Sequence, residues 1–180
     1  MKEIYSRRSV RNYLKTPVER DKILTVIKAG TCAPSALNNT ERQFTAIINK
    51  QLTAKLNNAV ASAADEATRQ RILSRCNGEF SFFYNAPVLI VVSTSRDALC
   101  PAADCAVALE NIFLKAEESG LSTCWINQLN SLCGNENVRK VLREAGIPDN
   151  HNIYGCCALG YSEAEKKIIT EKQNKVVICD

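Results

Sequence analysis

Apolar positions change period several times along this chain, and each change marks an expected element. Over residues 19–31, Ile23, Ile27 and Gly30 fall at helical spacing. Thr16-Pro17-Val18-Glu19 offers a capping-box start, with Glu19 itself as the alternative cap. Residues 43–49 are few and rich in Phe, Thr and Ile, which is strand composition. Leu52, Leu56, Val60 and Ala63 then recur at near-helical spacing and predict a long alanine-rich helix that runs, with a break, to Arg75. The polar stretch 65–78 is the least core-like part of the chain and suits a cover over a site. From Pro87 to Ser93 the run Pro-Val-Leu-Ile-Val-Val-Ser is continuously apolar and β-branched, as in a central strand buried on both faces. Cys105, Leu109, Ile112 and Ala116 share one face of a helix over 104–119 that Gly120 ends as a left-handed cap. That helix is hydrophobic almost all round, so it belongs in the core or between subunits. A further helix at 137–144 is stopped by Gly146 and Pro148, and strands at 153–159 and 175–179 complete the series.

The order is helix, strand, helices, strand, helix, helix, strand, strand. It lacks the regular alternation of a doubly wound parallel sheet and predicts an α+β fold. With 180 residues, 46% of them hydrophobic, the chain suits a single domain. Neither G-x-G-x-x-G nor G-x-x-x-x-G-K-[ST] follows any expected strand, so the common dinucleotide and P-loop phosphate cradles are missing.

Charge and cysteine content narrow the picture. The 23 basic residues exceed the 19 acidic ones only slightly, which marks neither a nucleic-acid binder nor a membrane-surface protein. At the start, Lys2, Arg7, Arg8, Arg11 and Lys15 face only Glu3, so this stretch is either a solvated basic tail or a place for a compact anion such as phosphate. The polar stretch 11–21 does not resemble a signal peptide, and the longest apolar run, 86–92, is far below the roughly 20 residues a bilayer requires. A cytoplasmic location with reduced thiols is expected. The nine cysteines form no C-x-x-C pair, and Cys156-Cys157 would point to opposite faces of a strand, so most read as buried small hydrophobes and no metal site is expected. His151, the one histidine, lies in Asp149-Asn150-His151-Asn152, a turn composition that places it at the surface. With no G-x-S-x-G elbow, a hydrolytic triad has little to build on.

The informative constellation is distributed. It comprises Ser6-Arg7-Arg8-Ser9-Val10-Arg11, Ala33-Pro34-Ser35-Ala36-Leu37-Asn38, Phe83-Tyr84-Asn85-Ala86-Pro87, the segment from Asp104 to Asn111, Gly120-Leu-Ser-Thr-Cys-Trp-Ile126, and Gly160-Tyr-Ser-Glu-Ala-Glu-Lys-Lys167. In this order and spacing the set resembles the nitroreductase-like family of FMN-dependent oxidoreductases over nearly the whole chain.

The resemblance implies a central, mainly antiparallel sheet flanked by helices, in an intertwined homodimer with FMN at the subunit interface. Arg7, Arg8, Ser9 and Arg11 correspond to the family's R-x-S-x-R segment, whose guanidinium and hydroxyl donors meet the FMN phosphate and the O2 side of the flavin. Pro34, Ser35, Ala36 and Asn38 match the P-S-x-x-N loop that reaches the flavin from the other subunit. Trp125, Ile126, Asn127 and Gln128 match the segment passing the flavin ring, where glycine is common in relatives. Leu159 and Gly160 resemble a turn that lets backbone approach the cofactor, and either Lys166 or Lys167 supplies a second phosphate cation unless the pair is an ordinary charged loop. The strand at 175–179 would add to the partner's sheet. After Asn38 the usual x-Q-P-W-x-F is replaced by Asn39-Thr40-Glu41-Arg42-Gln43-Phe44, which implies a different loop shape and acceptor preference. The implied reaction takes hydride from NADH or NADPH and reduces a small-molecule acceptor, such as a nitroaromatic, quinone or flavin, in ping-pong fashion. Because the flavin carries the chemistry, no catalytic acid or base is expected in the sequence. Two other readings stand beside it: a non-enzymatic flavin-binding or electron-storing protein, and a thiol-based redox or metal protein.

Overall fold

In a computed structural model, which describes residues 2–165 and 174–179, the chain runs through α1 (Glu3–Ser6), α2 (Arg20–Thr31), a 3-10 turn (Ala36–Asn38), β1 (Gln43–Ile47), α3 (Lys50–Ala63), α4 (Glu66–Arg75), β2 (Val88–Ser95), α5 (Pro101–Glu118), β3 (Ser122–Ile126), α6 (Gln128–Leu132), α7 (Glu136–Glu144) and β4 (His151–Gly160). The four strands form one sheet in the order β1-β2-β4-β3, and each neighbouring pair is antiparallel. The fold is α+β.

The apolar run at 87–93 takes the central place its composition requires. Every residue of β2 is buried. Leu89 and Val91 face a core that also holds Leu56, Val60, Ile126 and Leu142, whereas Val88, Ile90 and Val92 face one with Val26, Leu109 and Ile112. Helices therefore cover both faces: α3, α4, α6 and α7 on one, α2 and α5 on the other. Cys156 and Cys157 divide between the same two cores, as alternation along a strand demands. Each large side chain so buried contributes about 1.5–3 kcal/mol, enough for a sheet with two apolar faces to set the whole arrangement.

Local chemistry sets the element ends. The Asn49 side chain accepts hydrogen bonds from the Gln51 and Leu52 amides at 2.9 and 3.1 Å, which starts α3 and closes β1 early. Ala64 is extended, and the Asp65 carboxylate accepts from the Thr68 amide at 2.7 Å to open α4, so the expected long helix is broken at this point. Gly120 ends α5 with φ +73°.

Two expectations change, and an open alternative is decided. The cap of α2 is Glu19, and Thr16 takes no part; the Glu19 carboxylate instead accepts from the Tyr161 hydroxyl at 2.7 Å. Residues 122–126 form a strand that pattern alone did not suggest, because its pairing with β4 is a long-range contact. His151 is buried at the first position of β4, with Nδ1 at 3.2 Å from the Ser93 hydroxyl, because β4 begins earlier than the turn composition implied. The strand expected at 175–179 was assigned to a partner's sheet; within one chain residues 174–179 pair with no described strand, and Val176, Val177 and Ile178 stand exposed. β-branched composition gives a preference for strand but names no neighbour to pair with.

Candidate active site

The site begins where the amino-terminal segment meets the sheet. Ser9 forms a parallel bridge with Thr123, and the Val10 amide donates to the Thr123 carbonyl at 2.9 Å. Val10 is buried, and the Tyr13 hydroxyl donates to its carbonyl at 2.8 Å. Burial pushes the Tyr13 phenol well above its ordinary pKa, so it remains a proton donor. These contacts fix a run of three arginines beside β3.

Each arginine is held differently. The Arg7 guanidinium lies 5.9 Å from the centre of the Phe113 ring and 3.8 Å from the Glu110 carboxylate on α5. Arg8 donates to the backbone carbonyls of Tyr5 and Arg7, while its Nε is buried with no partner among the described residues. Arg11 donates to the Tyr84 hydroxyl at 3.3 Å and lies over that ring at 5.7 Å. Arg11, Arg75 and Arg7 all favour the thiolate of Cys124, although burial outweighs them and raises its pKa.

Two cavities open around this cluster. One, of about 700 Å³, is bordered by Arg8, Ser9, Arg11, Lys15, Arg75 and Tyr84. The other, of about 360 Å³, lies between α4 and the turn from β3 into α6, bordered by Arg11, Arg71, Arg75, Trp125, Asn127 and Gln128. Arg11, Arg75 and Tyr84 border both. Such volumes suit a small organic ligand or cofactor. Tyr84 and Asn85 have φ +58° and +54°, a left-handed pair without glycine that costs on the order of 1–3 kcal/mol per residue and sets Tyr84 between the cavities.

The structure thus brings together Arg8, Ser9, Arg11, Trp125, Asn127 and Gln128, with Arg7 adjacent. Ile126 is buried in the core beside Leu129 and Val138, so its side chain serves packing. The Asn127 amide is engaged by the Gln128 side chain at 3.2 Å. The loop carrying Pro34, Ser35, Ala36 and Asn38 borders neither cavity. The Ala36 amide donates to buried Asp104 at 3.0 Å, and Arg42 donates to the carbonyls of Ala33, Pro34 and Asp104 at 2.7–3.1 Å. Arg42, in the segment that departs from the usual Q-P-W, is therefore a brace for this loop. Leu37 and Asn38, both at φ +53°, turn it outward, and Leu37 is almost fully exposed.

At Gly160 a methyl group would come within 2.6 Å of Pro87 and 3.0 Å of Tyr13. Packing of the protein against itself requires glycine here. Leu159 is buried in the core. Lys166 and Lys167 lie outside the described residues. Sequence reading had not singled out Thr68, Arg71, Arg75 or Tyr84 individually. The available signal was the four-residue spacing of Arg71 and Arg75, which puts both on one helical face. Among the described residues no group of three or more His, Cys, Asp and Glu could hold a metal, and no helix is long and apolar enough to cross a membrane.

The elements thus make an antiparallel sheet with helices on both faces and an arginine-lined cavity beside β3. Residues 4–161 match the Nitroreductase family, and the chain belongs to it. A crystal structure of a nitroreductase with bound FMN from Bacteroides fragilis is 35% identical, superposes with a TM-score of 0.86, and shares 99% of this chain and 97% of that one. A nitroreductase with bound FMN from Desulfitobacterium hafniense has a TM-score of 0.87 at 20% identity over 99% and 97% of the two chains, a likeness of fold. A protein of Archaeoglobus fulgidus, whose name places it among the NADH dehydrogenase/NAD(P)H nitroreductases, is 28% identical over 92% of this chain and 87% of its own.

Proposed function

We propose that this protein is an FMN-dependent oxidoreductase that draws electrons from NADH or NADPH and passes them to a small acceptor, a nitroaromatic, quinone or flavin, while working as a homodimer. The bridge from Ser9 to Thr123 carries this reading, because it places Arg7, Arg8 and Arg11 beside the segment from Trp125 to Gln128. The residues suit FMN. Arg8 keeps a buried Nε without a partner among the described residues, and forked guanidinium donors match a phosphate. The relatives named above that carry FMN support the choice of cofactor.

In this reading Arg7, Arg8 and Ser9 hold the phosphate, with Lys166 or Lys167 as a further cation. Arg11, steadied by Tyr84, brings positive charge to the O2 side of the ring. The Asn127 amide can exchange the Gln128 side chain for a ring acceptor. When bound, FMN supplies hydride acceptance from the nicotinamide and its later delivery to the acceptor, so the two substrates use one site in turn. The outward loop at Pro34, Ser35, Ala36 and Asn38, braced by Arg42, serves the site of the partner subunit.

Flavin retention tests the cradle. Arg8→Ala should weaken FMN binding by about tenfold or more, the loss of a charge-assisted contact, with the circular dichroism of the fold unchanged. Arg8→Ala and Arg11→Gln variants that both keep full flavin after desalting would overturn the assignment.

A further inference from the structure

The helix α4 carries three arginines, and among the described residues only Arg69 is held by contacts outside the helix itself. Arg69 lies over the Phe80 ring at 5.6 Å and donates to the Ala61 carbonyl at 2.9 Å. Arg71 and Arg75 instead border the 360 Å³ cavity beside Trp125, Asn127 and Gln128. Buried Ile72 holds the helix to the core, so this face is presented by a fixed element.

Charge within the cavity is unbalanced. Arg71 makes one described hydrogen bond, to the neutral Thr68 hydroxyl at 3.1 Å. Among the described residues neither Arg71 nor Arg75 has an ion pair. Arg11 adds a third guanidinium. The one carboxylate on the lining is Asp65, already committed as the cap of α4; its bonds to Thr68, with a smaller pull from the charge of Arg71, hold it below the ordinary carboxylate range. Glu66, next along the helix, is bonded to Gln70 at 2.6 Å. With Arg11 given to the flavin, Arg71 and Arg75 thus face one engaged anion across the rest of the cavity. Spare guanidinium donors in a concave site match a carboxylate or a phosphate.

We infer that this cavity selects a substrate bearing an anionic group, held by Arg71 and Arg75 while its reactive part lies toward Trp125 and Asn127. The inference rests on the oxidoreductase reading and adds a substrate class to it. The anion is a carboxylate of the acceptor or the 2′-phosphate of NADPH, and both present the same chemistry to the arginines. Arg71 and Arg75 act as specificity determinants and take no part in electron transfer.

The test compares the holoprotein with its Arg71→Glu and Arg71→Gln variants. Two pairs of probes differ mainly in charge: para-nitrobenzoate against para-nitrobenzamide, and NADPH against NADH. In Arg71→Glu, kcat/KM should fall by about tenfold more for the charged member of a pair than for its neutral counterpart, and Arg71→Gln should give a smaller gap of the same sign. A gap within the nitro pair assigns the anion to the acceptor, and a gap within the nucleotide pair assigns it to the 2′-phosphate. Equal effects within both pairs would overturn the inference. Quenching of Trp125, the only tryptophan, by the two nitro compounds without donor gives an independent equilibrium reading. Charge-dependent quenching without turnover would sink the oxidoreductase reading and leave the anion site. Turnover with charge-blind quenching and charge-blind kinetics would do the reverse.

Discussion

Gly155→Ala links the packing of the sheet to the candidate site. Gly155 lies on β4 opposite Val92, next to the register shift between Val92 and Ser93. A methyl group there would fall 2.6 Å from Leu109 Cδ1, 2.7 Å from Trp125 Cζ2 and 3.1 Å from Trp125 Cε2. Leu109 is fully buried on α5, and the indole is packed against Phe113 with ring centres 5.9 Å apart, so neither neighbour yields without moving others. Overpacking of this kind costs about 1–3 kcal/mol. Against it, replacing glycine by alanine in a strand recovers about 0.5–1 kcal/mol of backbone entropy. The two ranges leave a net loss of about 0–2.5 kcal/mol, centred near 1 kcal/mol, which at its centre lowers the Tm of a chain this size by about 2–4 °C. The Trp125 ring should shift as well, changing its emission spectrum and weakening whatever binds the cavity it borders. Thermal melts followed by circular dichroism and by tryptophan fluorescence read both effects. A variant as stable as the parent, with unchanged emission, would refute the argument that Gly155 is required by the Leu109–Trp125 contact.

Two further expectations concern titratable groups. Burial raises the thiol pKa of Cys105 to about 12 and lifts Cys124, Cys156 and Cys157 as well, so iodoacetamide at mildly alkaline pH should label exposed Cys32, Cys100 and Cys179 and spare those four. Peptide mass spectrometry reads this directly, and early labelling of Cys156 or Cys157 would contradict the core assignment. Burial also lowers the His151 pKa below 6.5. The unfolded chain therefore binds the proton first, and stability should fall as pH drops below about 6.5. His151→Gln should flatten that part of the urea-midpoint profile, and an unchanged slope would place the acid sensitivity elsewhere.

Much of the fold could be read from periodicity because the strongest patterns serve burial. The run at 87–93 had to be central, and a break in the helix running to Arg75 was expected, which the structure places at Asp65. The strand β3 escaped notice because Ser-Thr-Cys-Trp-Ile is short and gains its meaning from pairing with β4. His151 was misjudged for a related reason: a turn-like sequence said nothing of Ser93 across the sheet. The arginines near the amino terminus were visible as a charge cluster, whereas Arg71 and Arg75 lay in a stretch read only as a whole, as a cover over a site, and gain an individual place where α4 borders a cavity. Gly160 shows the converse, since its neighbours Pro87 and Tyr13 are distant in sequence and supply a packing reason that no local motif contains.

The most direct test of the account is the visible absorption spectrum of the purified protein, recorded without air while NADH or NADPH is added. The account predicts a flavin spectrum that bleaches promptly with one or both nucleotides and returns when a nitroaromatic or quinone is supplied. A bound flavin that stays oxidised would contradict the proposed reductase activity and favour a flavin-binding protein, and a colourless protein that takes up no FMN would contradict the site itself.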